Sequence, residues 1–174
     1  MAIEVRLADN EKAERCQLVT LVDVNQSDDG NYEWEAIGHG IEDSDLDMSV
    51  TSSTTTDILG RKETDISSVD KTQTFDDMKV RGGLKLFKIL ADIDFNDDYQ
   101  RYSQFTIMIV FAHLSTGNDE QYPAKVYKNC TIAHTRQGGS TQLEYDIEIS
   151  LSNEVTIGYV TNPSSPIFVA TTEV

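Results

Sequence analysis

The sequence predicts a mainly-β domain with one short amphipathic helix and a long projecting β-hairpin. Three observations carry this. Apolar and polar residues alternate along most segments, and Thr, Val and Ile are frequent in them, which suits a pleated surface. One stretch alone, Val80 to Ile93, has apolar residues three to four apart. The stretch from Ile41 to Phe75 alternates for far longer than an ordinary strand and carries a single turn signal, Leu59-Gly60-Arg61.

The 174 residues suffice for one domain with a real core. Hydrophobic residues make up 39 % and charged residues 25 %, a globular balance. No run approaches the ~18 apolar residues of a membrane span, so no membrane partner is expected. No basic-then-apolar leader opens the sequence, and synthesis in the cytoplasm is expected. The net charge of −16 disfavours a grip on phosphate backbones and favours repulsion of a nearby polyanion.

Ile3 to Leu7 is a short apolar start. Arg15 to Val24 is apolar on nearly both faces, hence a buried strand. Asn25 to Asn31 is a turn cluster with Asp29-Gly30. Tyr32 to Ile37 alternates again, with Trp34 as an expected core anchor, and Gly38-His39-Gly40 frees the backbone for a bend. After the hairpin, Asp76-Asp77 is expected to open the helix, whose firm part is read as Gly83 to Asp92. Leu84, Phe87 and Leu90 form its core stripe. Asp92 to Gln100 reads as a loop, and Gln104 to His113 as a buried strand. Gln121 to Asn129 pairs back, with Pro123 marking an edge or the first residues of the strand. Cys130 to Thr135 and Thr141 to Leu151 form a second hairpin, followed by short strands at Thr156–Val160 and Ile167–Thr172. In the outgoing arm of that hairpin, Leu143, Tyr145, Ile147, Ile149 and Leu151 face one way. Glu144, Asp146 and Glu148 face the other.

In the long hairpin, Leu46, Met48 and Val50 alternate with Asp45, Asp47 and Ser49. Each arm runs about 15 residues, or roughly 50 Å, against ~5–6 residues for a typical strand. Near the tip the arms are polar on both faces, so one subunit's core cannot hold them. The stretch is either a ribbon completed by something outside the subunit or a loose Ser/Thr-rich loop.

The search for chemistry returns little. His39, His113 and His134 have no ligand partner at metal-site spacing. Asp92-Ile-Asp94-Phe-Asn96 imitates the start of a calcium loop, but Asp97 and Ser103 occupy its two diagnostic positions. Asp43, Asp45 and Asp47 share a strand face, which reads as a solvated face before a divalent-ion site. Cys16 and Cys130 read as two buried free thiols, with a disulfide open if their strands are neighbours. No nucleophile elbow or phosphate loop is present. Neither catalysis nor a cofactor is expected.

The order of features resembles the tail tube proteins of long-tailed bacteriophages and related contractile particles. The residues that carry the resemblance are Trp34 to Ile41, Asp45 to Val50, Asp57-Ile58-Leu59-Gly60, Thr64-Asp65-Ile66 and Thr74-Phe75-Asp76-Asp77. The Tyr122 to Val126 strand and the Cys130 to Ser150 hairpin complete it. It implies a single tail-tube domain over residues 1–174, with the hairpin arm at about 41–75. The implied fold is a β-sandwich or partly closed barrel with a flanking helix. It also implies homohexameric rings stacked into a hollow tube that encloses a tape-measure protein and passes DNA as cargo. Sheath, baseplate and tail terminator are implied partners, and the location is the virion tail, assembled in the bacterial host cytoplasm. The expected inter-subunit residues are Leu46, Met48, Val50, Ser52, Thr54, Thr56, Ile58, Gly60, Thr64 and Ile66. Either the Asp45 and Asp47 face or the Glu144, Asp146 and Glu148 face is a candidate channel wall, with an acidic outer surface as the alternative. Competing readings are the tube of a type VI secretion system or a phage-like bacteriocin, and a β-sandwich carbohydrate-binding module that would use Tyr99, Tyr102, Tyr122 and Tyr127.

Overall fold

Alternation dominates the sequence, and strands dominate the computed structural model. It describes residues 3–26, 30–39, 41, 44–118, 120–162 and 166–171. The strands are β1 (Glu4–Val5), β2 (Leu18–Asp23), β3 (Trp34–Ala36), β4 (Leu46–Thr56), β5 (Lys62–Lys79), β6 (Phe105–Phe111), β7 (Leu114–Ser115), β8 (Tyr122–Gly138), β9 (Glu144–Leu151), β10 (Val155–Val160) and β11 (Phe168–Ala170). One helix, α1 (Lys85–Phe95), and single 3-10 turns at Arg15–Gln17 and Tyr99–Ser103 accompany them.

All pairings are antiparallel. One sheet runs β3-β2-β6-β8-β10-β11 and the other β8-β9-β5-β4, while β1 and β7 make a separate two-stranded ribbon. Strand β8 belongs to both sheets. Its residues 122–127 lie between β6 and β10, and residues 131–138 pair with β9. Asn129, between the two halves, has φ of +54°, a left-handed value that Asn tolerates better than most residues. The two runs read as Gln121–Asn129 and Cys130–Thr135 are therefore one bent strand. The architecture is mainly β and is not a closed barrel.

The two sheets and α1 enclose the main core. Val22, Ile107, Ile109 and Tyr127 come from the first sheet, Phe75, Ile132, Ile147 and Ile149 from the second, and Leu86, Phe87, Leu90 and Ile93 from the helix. On the other face of the first sheet, Leu21, Met108, Val110, Ala124, Val126 and Val160 form a second cluster under Trp34, Tyr122 and Phe168. Strand β6 is thus covered on both faces, which explains its uninterrupted apolar run from Ile107 to Phe111. Trp34 is half-buried at the margin of this second cluster and not a central anchor. Buried polar groups are paired: Thr20 Oγ1 donates to Gln73 Oε1 at 2.9 Å, and Gln73 Nε2 donates to Ser44 Oγ at 3.2 Å, joining β2 to the root of β5.

Several expectations are corrected. Asp76 and Asp77 lie within β5, at a bulge where Asp77 has φ of +55°, and they do not open the helix. The helix is Lys85–Phe95 and not Gly83–Asp92, because Gly83, at φ of +95°, turns the chain first. Its first turn is capped from a distance: Glu35 on β3 accepts from Lys85 N at 2.7 Å and Leu86 N at 3.1 Å. Asp92 to Phe95 is helix and not loop, and Leu143 is exposed ahead of β9. Pro123 is the second residue of β8, where it faces Tyr159 of β10, and the pairing with β6 begins one residue later at Ala124, so it marks the start of a strand that is interior further along. Cys16 sits in the 3-10 turn and is exposed; Cys130 is buried, and both thiols are free. The expected turn and bend residues Asp28, Asp29 and Gly40, Asp43, and Thr172 lie outside the described residues.

Candidate assembly surface

Strand β9 supports β5 only from Lys71 to Lys79. From Asp70 outward β5 pairs with β4 alone, so the ribbon projects by about ten residues, or ~33 Å. The end is closed locally. Asp57 N donates to Arg61 O at 2.9 Å, Gly60 N donates to Asp57 O at 3.0 Å, and Asp57 Oδ1 accepts from Leu59 N and Arg61 N, both at 2.8 Å. Gly60 takes a φ of +79°, which suits glycine. The stretch is a formed ribbon and not a loose loop.

Register assigns its two faces. Leu46, Met48 and Val50 lie opposite Gln73, Lys71 and Val69, and Ser52, Thr54 and Thr56 lie opposite Ile66, Thr64 and Lys62. Because Gln73 and Phe75 are buried, this is the core-facing side of the sheet, continued past the end of the core. The expected contact residues Leu46, Met48, Val50, Ser52, Thr54, Thr56, Thr64 and Ile66 all fall on it. Met48, Val50 and Ile66 are more than half exposed there. The ribbon therefore carries exposed apolar side chains beyond the core, and from Asp70 outward β5 has no second pairing partner among the described residues.

The opposite face is acidic. Asp47 lies opposite Thr72, Glu148 opposite Thr74, and Asp146 opposite Arg136. Asp47 of β4 and Glu144, Asp146 and Glu148 of β9 therefore share one face of one sheet, and Asp45 precedes β4 in the same alternation. The two acidic faces expected separately are one face. Strand β5 adds Glu63, Asp65 and Asp70, which the sequence reading missed. The pairing shifts by one residue between Thr51 and Ser52, across from Ser67, so Asp65 and Asp70 share a face that simple alternation would deny them.

Asp146 differs from its neighbours. Arg136 bonds it through Nε and Nη2 and also reaches Asp77, while Asp77 N donates to Asp146 Oδ1 at 2.9 Å. The hydrogen bond from Arg136 holds the Asp146 carboxyl below the ordinary aspartate range, against a smaller opposing effect of burial. Its folded pKa is depressed, so the stabilisation is complete above the unfolded value of ~3.9 and fades as pH falls through the lower folded value. We expect Asp146→Asn to melt below wild type at pH 7, with the gap closing under strong acid. Thermal melts from pH 7 to pH 2 check this; a gap that widens on acidification contradicts it.

Between helix and sheet, Tyr102 donates to Asp94 Oδ1 at 2.5 Å and His134 Nε2 lies 2.9 Å from Asp94 Oδ2. Burial, then the Asp94 hydrogen bond, pushes the Tyr102 phenol well up. Asp92 pairs with Arg101 and accepts from Asn96. The imitation of a calcium loop is thus a helix end tied to the sheet. Among the described residues no three His, Cys, Asp or Glu side chains are grouped to hold a metal ion.

No protein-family model matches the chain, and no curated protein is similar to it in sequence. Among solved structures, the sheath/tube terminator of PVC, an extracellular contractile injection system in its extended state, is similar. The TM-score is 0.52 at 13 % identity, over 86 % of this chain and 99 % of that one. The PVC sheath-tube complex in the extended state (TM-score 0.49, 13 % identity, 87 % and 94 % covered) and the tube-terminating cap of the anti-feeding prophage (0.48, 13 %, 87 % and 93 %) are also similar. At this identity the first likeness is one of fold.

Proposed function

We propose that the chain is a structural subunit of a phage-tail-like particle, and that it assembles on itself into six-membered rings stacked as a hollow tube. One observation carries this reading: the β4–β5 ribbon projects beyond the core with an apolar stripe that its own chain does not cover. A ribbon of that kind gains its stability from a neighbour. Contacts between unlike surfaces of identical chains close into rings or extend into filaments. The fold likeness to a tube-associated component of an injection system supports the same role.

In this reading the acidic face of the second sheet lines the channel, with Asp45, Asp47, Glu63, Asp65, Asp70, Glu144 and Glu148 as its carboxylates. Asp146 contributes less, because Arg136 neutralises it. An acidic wall repels the phosphates of DNA in transit and keeps cargo from sticking. A tape-measure protein inside, and sheath, baseplate and terminator outside or at the ends, are the partners that go with the role. The site of action is the tail of the particle, after assembly in the bacterial cytoplasm.

A second reading has its own support. The likeness that covers 99 % of its target is to a terminator, which ends a tube instead of building one. Cryo-electron microscopy of the purified protein separates the two. Stacked rings identify a tube subunit, and single closed rings identify a terminator.

A further inference from the structure

Charge is segregated along α1. From Met78 to Ala91 the chain carries Lys79, Arg81, Lys85 and Lys88 and no acid; from Asp92 to Asp98 it carries four acids and no base. Lys79 stands opposite Glu144 of β9 and belongs to the acidic face of that sheet, and Glu33 takes the Lys85 ammonium. Among the described residues no ion pair engages Arg81, Lys88 or Asp98, and all three are exposed. Asp92 is tied to Arg101 and Asp94 to His134, while Asp97 accepts only from Tyr99. This order runs against the helix dipole, which favours acids at the amino end and bases at the carboxyl end; the first turn holds no acid and the last no base. Glu35 offsets part of the conflict by capping Lys85 N and Leu86 N. The helix gains nothing from the remaining arrangement on its own.

We propose that the acidic carboxyl end of α1 in one copy of the chain docks against the basic amino end of α1 in another. The inference rests on the self-assembly reading above and adds a contact separate from the ribbon. Three observations carry it. The charges are complementary: Asp97 and Asp98 at one end answer Arg81 and Lys88 at the other, and each end meets the sign that the helix dipole prefers there. The 11-residue helix is ~16 Å long, beyond the ~10 Å screening length at 0.1 M salt, so its ends act as separate surfaces. The shapes also match. Phe95 is 89 % exposed at the acidic end. At the basic end no atom lies within 4 Å of where a Cβ would stand on Gly82 or Gly83, although the turn requires glycine only at Gly83, with its φ of +95°. That bare backbone is a flat seat for an aromatic ring, and Arg81 beside it supplies a guanidinium to stack on the ring face. Unlike ends of identical chains meet, so the contact repeats from copy to copy.

Charge reversal tests the contact. One variant reverses the basic end, Arg81→Glu with Lys88→Glu. The other reverses the acidic end, Asp97→Asn with Asp98→Lys; Asn tolerates the left-handed backbone of residue 97, whose φ is +54°. All four side chains are exposed, so both variants keep the fold, which circular dichroism checks. Alone, each variant brings like charges together, and the concentration needed for assembly in sedimentation velocity is expected to rise at least about tenfold. Mixed one to one, the unchanged ends of the two variants attract each other, and so do the reversed ends. Assembly is then expected to return toward the wild-type level, a rescue that a merely structural defect would not show. Wild-type assembly by either variant alone, or no rescue on mixing, overturns the docking and leaves self-assembly standing. No assembly of the wild type under any condition overturns both.

Discussion

Replacing Ser52–Ser67 by Asn-Gly is expected to leave a folded monomer that no longer assembles. The replacement closes a two-residue turn on the Thr51–Ser68 pair, the loop length and residue types that hairpins favour. Every residue removed is exposed, so the monomer loses little buried area. What it loses is the projecting half of the ribbon, with Ile58, Leu59 and Ile66. Circular dichroism melts should stay within a few degrees of wild type, given the ~±0.5 kcal/mol usual for exposed changes. Sedimentation velocity should show only monomer where wild type forms large species. Assembly at wild-type levels would remove the ribbon from the interface.

The largest effect on stability is expected from Phe87→Ala. Phe87 is buried at the helix–sheet junction, with its ring edge-on to Tyr145 at a centroid distance of 5.6 Å. Truncating a buried Phe costs about 3–5 kcal/mol, a large share of the ~5–15 kcal/mol that holds a domain together. Urea titration should move the midpoint sharply downward. A loss under about 1 kcal/mol would mean that α1 does not pack on the sheets. Assembly should weaken in parallel, because the sheet that carries the ribbon is the one that Phe87 braces.

Of the expected helix stripe, Phe87 and Leu90 are buried in α1, whereas Leu84 stands before the helix as its extended, partly buried N-cap residue, and Leu86 and Ile93 complete the buried face instead. The helix ends were not legible. Gly83 placed the start later than Asp76-Asp77 implied, and the cap comes from Glu35, some fifty residues earlier in the chain. Strand identity was legible wherever one face meets the core and the other meets water, as in β9. Sheet order was not: that β8 serves two sheets depends on a bend at Asn129 that no residue pattern announces. The ribbon's length and polarity could be read directly. The unity of its acidic face could not, because the register shift across from Ser67 and the pairing of β5 with β9 decide which carboxylates are neighbours. Cys16 misled because it adjoins the apolar run of β2 without belonging to it.

The central claim is that identical chains cover one another's ribbons and so build a tube. Cryo-electron microscopy of the purified protein at high concentration tests it most directly. The account predicts stacked six-fold rings, with ribbons packed on neighbouring subunits and Glu144 and Glu148 facing the channel. A protein that stays monomeric at every concentration and salt would contradict it.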